Sequence, residues 1–170
     1  MSTVIFTASD IEAAMNRMIS AIKAENVYLI GIQRGGAMVA DSLQCLLLEA
    51  GCNVERGNLD IGLYRDDLDT IGYHPEVHPS HLPFDMDGKN IWLIDDVLYT
   101  GRTIRAALGE IFDYGRPASI KLAVLLDRGG RELPLAADIT GLYHETPHGI
   151  LVKLICETDI WHFEQQGGES

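Results

Sequence analysis

The chain of 170 residues is poor in cysteine and in positive charge. Its three cysteines are an odd number, with no Cys-x-x-Cys pair and no zinc-ligand spacing. This excludes a disulfide framework and is typical of reduced thiols in a cytoplasmic protein. The 13 lysines and arginines oppose 25 aspartates and glutamates, giving a formal net charge of −12. Because this charge repels phosphodiester backbones, nucleic-acid binding would need a local basic patch. The densest positive group is Arg116, Lys121, Arg128 and Arg131.

Long hydrophobic runs are also missing. No apolar stretch approaches the ~20 residues of a membrane-spanning helix. The first residues lack a basic region followed by an apolar run, so we expect no signal peptide. The length suits one domain over residues 1–170, because single cores of this size are common. We therefore expect a single cytoplasmic domain that does not bind membranes.

Alternating strand and helix patterns fill most of the chain. Capping-box spacing at Ser9 to Glu12 opens a predicted helix over about 9–24. Further helices are predicted over 37–51 and 103–115, and strands over 27–32, 54–64, 90–95 and 119–127. After Asp127 the pattern is irregular until a last apolar run at 150–156, and the tail from about 164 to 170 is predicted to be disordered. Such alternation predicts an α/β fold with a mostly parallel sheet flanked by helices.

One long segment, over about residues 65–88, has no sustained period. It contains three prolines, three histidines and six acidic residues. Structureless loops longer than ~15 residues are usually functional lids or disordered segments. We expect a flexible catalytic loop, with a solvated loop of no role as the alternative. The three histidines are not spaced as a compact metal site.

Two adjacent carboxylates stand at the end of a predicted strand in the stretch "IWLIDDVLYTGRTIRAAL". Asp95 and Asp96 precede a Thr-Gly-Arg-Thr turn and a predicted helix. Backbone N–H groups at a helix N-terminus bind phosphate, and glycine lets the backbone approach closely. The two carboxylates would repel a bare polyphosphate, so they face hydroxyl groups or a cation. The pattern indicates a phosphorylated sugar; the alternative is two aspartates that cap the next helix beside an ordinary turn.

The same stretch resembles a known signature. "WLIDDVLYTGRT" is similar to the phosphoribosyl diphosphate (PRPP) motif of type I phosphoribosyltransferases. More narrowly, "LDIGLYRDDL" and "DRGGRELPLAADITG" resemble the PyrR family of pyrimidine operon regulators with uracil phosphoribosyltransferase activity. The resemblance covers about residues 3–160. It implies the type I phosphoribosyltransferase fold with a small hood and a flexible catalytic loop, and a homodimer or homotetramer.

The resemblance also implies the site. Asp95 and Asp96 would hold the ribose hydroxyls and, with Arg65 of the long loop, form the catalytic set. PRPP would be bound by the run Asp95, Asp96, Val97, Leu98, Tyr99, Thr100, Gly101, Arg102 and Thr103. The pyrophosphate loop would be Gln33, Arg34, Gly35 and Gly36, although "GIQRGG" is otherwise a tight strand-to-helix turn. Family members carry Thr-Arg-Gly at positions 34–36, so the arginine is displaced by one position here.

The implied reaction converts uracil and PRPP to UMP and diphosphate. Mg²⁺ would arrive with PRPP, and no firm metal site is assigned to the protein itself. Tyr99 stands where many purine phosphoribosyltransferases have aspartate, which favours uracil over the alternative, hypoxanthine or guanine. Asp127 and Arg128 would lie near the polar edge of the base, unless Arg128 and Arg131 are simply surface charges.

A second implied function is regulation. The resemblance makes the chain a UMP-responsive protein that binds the leader mRNA of a pyrimidine operon. The family usually has "DRGHRE", with its histidine on the RNA-facing surface, whereas this chain has Gly130. The charge of −12 also opposes RNA binding. The alternative is a pyrimidine regulator with little turnover.

Overall fold

The computed structural model describes residues 2–61 and 80–167. Within them the chain forms two sheets and three helices. The strands are β1 (Ser2–Phe6), β2 (Asn26–Ile32), β3 (Asn53–Leu59), β4 (Asn90–Leu98), β5 (Ser119–Asp127), β6 (Ile139–Tyr143), β7 (Leu151–Glu157) and β8 (Ile160–Gln166). The helices are α1 (Ala8–Ile22), α2 (Gly35–Glu49) and α3 (Arg102–Tyr114).

The central sheet has five parallel strands in the order β3-β2-β4-β5-β6. The middle strands are apolar on both faces, as strands covered by helices on each side must be. In the register of β4 and β5, Asp95 pairs with Val124 and Leu98 with Asp127. The carboxyl ends of β4 and β5 therefore meet at one edge of the sheet.

Helices cover both faces of this sheet and bury two hydrophobic clusters. On one face α1 and α2 pack through residues such as Met18, Leu43 and Leu47. On the other face α3 packs through Ile104 and Ile111. The predicted α/β architecture is thus confirmed. None of the helices in the described ranges is long and apolar enough to cross a membrane.

The capping box of helix α1 lies two residues earlier than predicted. The N-cap is Thr7, and the box is formed with Asp10 instead of over Ser9 to Glu12. The Asp10 carboxylate accepts from the Thr7 backbone N–H at 2.8 Å and from the Thr7 hydroxyl at 2.7 Å. These two hydrogen bonds hold the pKa of Asp10 below its ordinary value. The short aspartate reaches the cap from the third helical position, which fixes the helix start at Ala8.

A second sheet of three antiparallel strands, β1-β8-β7, forms the hood. Phe163 of β8 is fully buried and meets the Phe6 ring edge-on, with the centroids 6.4 Å apart. The prediction of a disordered tail from residue 164 is wrong up to Gln166. That residue pairs with Ser2 on one side and with Leu151 on the other. β8 is the middle strand of the hood, so backbone hydrogen bonds to β1 and β7 hold its polar residues in place. Residues 168–170 lie outside the described ranges.

Other strands also differ from prediction. The strand predicted over 54–64 ends at Leu59, and its last residues lie outside the described ranges. β4 continues to Leu98 instead of ending at Asp95, because it keeps pairing with β5. β6 follows the irregular region and was not predicted.

The predicted flexible loop is described only in its last part, residues 80–88. Phe84 and Met86 are buried there in the cluster under α3. His81 forms an isolated antiparallel bridge with Asn58. These contacts anchor residues that we expected to belong to the flexible loop. Residues 65–79, with Arg65, lie outside the described residues, so the role of Arg65 stays a prediction.

Candidate active site

The site begins at the carboxyl end of β4. Asp95 is 5% exposed, and its Oδ1 accepts a hydrogen bond from the Asp96 backbone N–H at 2.9 Å. The Asp96 side chain is partly exposed and reaches the start of α2. A Cβ added to Gly35 would lie 2.0 Å from Asp96 Oδ2, and one added to Gly36 would lie 2.5 Å from the Ile94 carbonyl oxygen. Glycine at both positions therefore lets α2 begin directly against the aspartates.

The predicted pyrophosphate loop lies between β2 and α2, beside these aspartates. The Gln33 backbone N–H donates to the Leu59 carbonyl at 2.8 Å, which ties the loop to β3. The peptide bond between Gln33 and Arg34 is cis. The Arg34 side chain is exposed. The fold thus brings the loop and the aspartates together, while the role of Arg34 in binding diphosphate stays a prediction.

The predicted phosphate turn joins β4 to α3. Gly101 has φ +94°, a left-handed conformation that favours glycine, and α3 begins at the next residue. Thr100 is buried, and its Oγ1 accepts from the Arg102 backbone N–H at 3.2 Å. The Thr100 carbonyl accepts from the N–H groups of Glu132 and Leu133 at 3.0 and 3.2 Å. The turn is therefore held from behind by the segment after β5, with the first N–H groups of α3 at its mouth.

Arg102, a predicted phosphate ligand, is engaged by a carboxylate. Its Nε and Nη2 lie 2.8 and 2.7 Å from Glu132 Oε2. Both side chains are largely exposed, at 59% and 42%, so solvent screens the pair. A phosphate at this turn would compete with Glu132 for the guanidinium. Thr103, the last residue of the predicted run, lies partly exposed in the first turn of α3.

The predicted base-binding residues lie at the end of β5. Asp127 Oδ1 accepts from the Gly129 N–H at 3.0 Å, and its Oδ2 lies 2.6 Å from Arg131 Nη2. Arg131 Nη1 also donates to the Tyr99 carbonyl at 2.6 Å. Arg128 is 4% exposed, with its guanidinium carbon 4.0 Å from the centre of the Tyr99 ring. The alternative that both arginines are surface charges is therefore wrong, and they offer little to an exposed basic patch.

Arg56 was missed by sequence reasoning. It lies on β3 with its side chain 14% exposed. Its Nη2 donates to the Ala37 carbonyl and to Asn58 Oδ1, each at 2.8 Å, and its Nη1 lies 3.0 Å from Asp41 Oδ1. The guanidinium thereby fixes the first turn of α2, directly behind the pyrophosphate loop. A lone arginine on a strand carries no spacing signal, because its partners come from another element.

His148 was also missed. It lies in the segment between β6 and β7, and its Nδ1 is 2.9 Å from the Tyr99 hydroxyl. The only sequence signal was its place in the irregular region after Asp127. The structure thus places a third residue against Tyr99, after Arg131 at its carbonyl and Arg128 over its ring.

Comparisons with known proteins point to one protein family. A model of the phosphoribosyl transferase domain matches residues 5–149. A bifunctional protein PyrR from Deinococcus deserti is 45% identical over 162 residues, covering 91% of this chain and 88% of that protein. One from Nitrosococcus oceani is 46% identical over 145 residues, covering 85% and 81%.

Solved structures support the fold. A hypoxanthine phosphoribosyltransferase of Trypanosoma cruzi has a TM-score of 0.64 at 20% identity, covering 88% of this chain and 84% of that one. A hypoxanthine phosphoribosyltransferase from Staphylococcus aureus has a TM-score of 0.63 at 17% identity, covering 88% and 80%. At these identities the likeness concerns the fold and not the base.

Proposed function

Because the chain belongs to the phosphoribosyl transferase domain family and, within it, to the bifunctional PyrR proteins, we propose that it converts uracil and PRPP to UMP and diphosphate. One observation carries this proposal. The Asp95–Asp96 pair, the glycines that open α2, and the Gly101 turn that opens α3 converge at one edge of the central sheet. Ligands of open parallel sheets bind at this edge, where strands end and helices begin.

Each part of PRPP has a matching group at this edge. The carboxylates of Asp95 and Asp96 accept hydrogen bonds from the two ribose hydroxyls. The first N–H groups of α3, together with the Thr100 and Thr103 hydroxyls, donate to the 5′-phosphate. The diphosphate lies along Gln33 to Gly36, at the positive end of the α2 dipole. Sugar and leaving group are thus held by elements that the fold packs in contact.

The reaction depends more on stabilisation of charge in the transition state than on side chains that form bonds to the substrates. The bond from C1 of ribose to the diphosphate oxygen breaks, the bond to uracil N1 forms, and the N1 proton is released to water. The ribose ring gains positive charge in the transition state, and the carboxylates of Asp95 and Asp96 bind the hydroxyls of that ring. Arg65, which lies outside the described residues, would stabilise the negative charge on the departing diphosphate. Much of the remaining rate enhancement comes from positioning.

Magnesium fits this site as an ion that PRPP brings with it. In residues 2–61 and 80–167, no three His, Cys, Asp or Glu side chains lie together as a metal site. Carboxylate and hydroxyl oxygens are the ligands that Mg²⁺ prefers, and it often binds through one or two carboxylates and substrate phosphates. Asp95 or Asp96 would supply the protein oxygen. When bound, Mg²⁺ neutralises charge on the diphosphate.

Base preference is tested with purified protein, PRPP, Mg²⁺ and one base at a time. Uracil should give UMP, while hypoxanthine and guanine give little nucleotide, because Tyr99 lacks the carboxylate that can pair with a purine ring nitrogen. Conversion of hypoxanthine or guanine in place of uracil would overturn the pyrimidine assignment. Binding of UMP without measurable turnover would instead make the chain a regulator with little enzyme activity.

The PRPP site is tested by replacing the two carboxylates. Asp95→Asn and Asp96→Asn should each raise the KM for PRPP roughly 10- to 100-fold, because hydrogen bonds to charged groups are worth about 1.5–3 kcal/mol. The melting temperature should change little. Asp113→Asn is the matched control, since Asp113 lies exposed on α3. Near-normal kinetics in both site variants would show that the site lies elsewhere.

The regulatory half of the proposal is binding of a pyrimidine-operon leader RNA in a UMP-dependent manner. Arg128 and Arg131 are engaged around Tyr99, so RNA contacts must come from other residues or from an assembled dimer or tetramer. A gel-shift titration with the leader of the chain's own pyrimidine operon should give a shift that UMP strengthens. No UMP-dependent shift at moderate salt would leave the enzyme alone. Sedimentation of the same sample gives the oligomeric state.

A further inference from the structure

The Tyr99 side chain is fixed from several directions. The Arg128 guanidinium lies over its ring, 4.0 Å from the centroid. Gly130 packs against the same ring, with φ +72°, and a Cβ added there would lie 2.5 Å from Tyr99 Cε2. Position 130 therefore cannot carry a side chain unless the tyrosine ring moves. A polar partner for the hydroxyl has to come from another segment.

His148 supplies that partner. Its Nδ1 is 2.9 Å from the Tyr99 hydroxyl, and the two ring centroids are 6.0 Å apart. The segment that carries it is tied to the end of β5. The Thr146 N–H donates to the Arg128 carbonyl at 3.0 Å, and Arg128 Nη2 donates to the Pro147 carbonyl at 3.3 Å. His148 thus reaches the tyrosine from an anchored segment, although its own side chain is exposed.

We propose that His148 is a positioning residue that holds the Tyr99 ring at the base side of the site and thereby favours uracil over larger bases. This role presupposes the proposed transfer of phosphoribose to uracil. A tyrosine held at both its ring and its hydroxyl stays in one rotamer. The width of the base-binding space beside the ring is therefore fixed. A single pyrimidine ring needs less of that space than a bicyclic purine. Without the histidine the hydroxyl of Tyr99 has lost this hydrogen bond, so the ring can adopt other rotamers. The width of the base-binding space then varies.

The test is a double-mutant cycle of His148→Ala and Tyr99→Phe. Each single variant removes the hydroxyl–imidazole contact and keeps most of the surrounding packing. Each should raise the KM for uracil about three- to tenfold, the effect of one hydrogen bond, and His148→Ala should leave the KM for PRPP within twofold. The double variant should be no worse than either single one, because both remove the same interaction. The preference for uracil over hypoxanthine in kcat/KM should fall in all three.

Two further variants separate positioning from a general loss of structure. His148→Asn keeps a group able to hydrogen-bond the hydroxyl and should recover part of the uracil KM. His162→Ala in the hood removes a histidine paired with Glu164 at 3.0 Å and should leave both KM values unchanged. An unchanged uracil KM in His148→Ala, or single effects that multiply in the double variant, would overturn the proposed role. Absence of UMP formation by the wild-type protein would instead refute the proposed function.

Discussion

Replacement of Gly36 by alanine tests how closely α2 must approach β4. The added Cβ would lie 2.5 Å from the Ile94 carbonyl oxygen and 2.9 Å from the Asp95 Cα. Ordinary C···O contacts lie at about 3.3 Å or more, so α2 and β4 would have to separate by roughly 0.8 Å. Both neighbours are backbone atoms of a central strand and cannot rotate away. Overpacking of this kind costs about 1–3 kcal/mol.

Both stability and activity should respond to this change. In a domain of this length each kcal/mol lowers the melting temperature by about 2–4 °C, so a loss of roughly 2–12 °C is expected for Gly36→Ala. Because a 1 Å misplacement can cost about 100-fold in rate, kcat/KM for PRPP should fall by roughly 10- to 100-fold. Thermal melts and steady-state kinetics with PRPP as the varied substrate measure the two effects.

Gly109→Ala is the matched control. Gly109 lies within α3, and a Cβ there meets nothing within 4 Å. Alanine is favoured over glycine in a helix by about 0.8–1 kcal/mol, so this variant should melt about 2–4 °C higher with unchanged kinetics. If Gly36→Ala matched the wild type in melting temperature and kcat/KM, or if both alanines were equally harmful, the close approach of α2 would have no functional importance.

Three other changes have defined outcomes. Arg56→Met should raise the KM for PRPP several-fold and leave the uracil KM unchanged, because it frees the first turn of α2; equal rises in both would contradict this. Glu132→Gln should lower the KM for PRPP about twofold with under ~0.5 kcal/mol of destabilisation, since it releases Arg102 from an exposed pair. Thr7→Ala should cost about 1 kcal/mol in a denaturant titration, as for other N-caps. The pKa of Asp10 is lowered in the folded state, so its stabilisation is complete above its ordinary value and is lost as the pH falls below it. The difference in melting temperature between the wild type and Asp10→Ala should therefore shrink in acid, and a constant difference would refute this assignment.

The part of the candidate site that could be predicted from sequence is the part made from consecutive residues. Five signals follow one another directly along the chain: the apolar run of β4, Asp95, Asp96, the Thr-Gly turn and the helical period of α3. Each signal therefore supports the next. Strand β6 gave no such signal. It lies at an edge of the sheet, its one buried residue is Gly141, and Tyr143 is 63% exposed.

Contacts between distant elements were not predictable in the same way. Arg56 gains its role because β3 lies beside β2 and α2 passes over it, which no local pattern contains. The polar residues after Phe163 looked like a tail, because the signal that holds them is backbone pairing on both sides of β8. Prediction from sequence failed where backbone hydrogen bonds, as in β8, or a single long side chain, as in Arg56, determine the structure.

The hood also implies an order of folding. Its middle strand joins the two ends of the described chain, since Ser2 pairs with Gln166, whereas the central sheet is complete by Tyr143. Long loops close late, because their closure entropy must be overcome before the contacts stabilise them. His144 meets the Phe6 ring of β1 edge-on at 5.9 Å, so the hood adds a further contact to the segment that carries His148. Pulse-labelled hydrogen exchange should show amides of β2, β4 and β5 protected before those of β1 and β8. A nascent chain would then complete the edge of the sheet that carries Asp95 and Asp96 before its two ends come together in the hood.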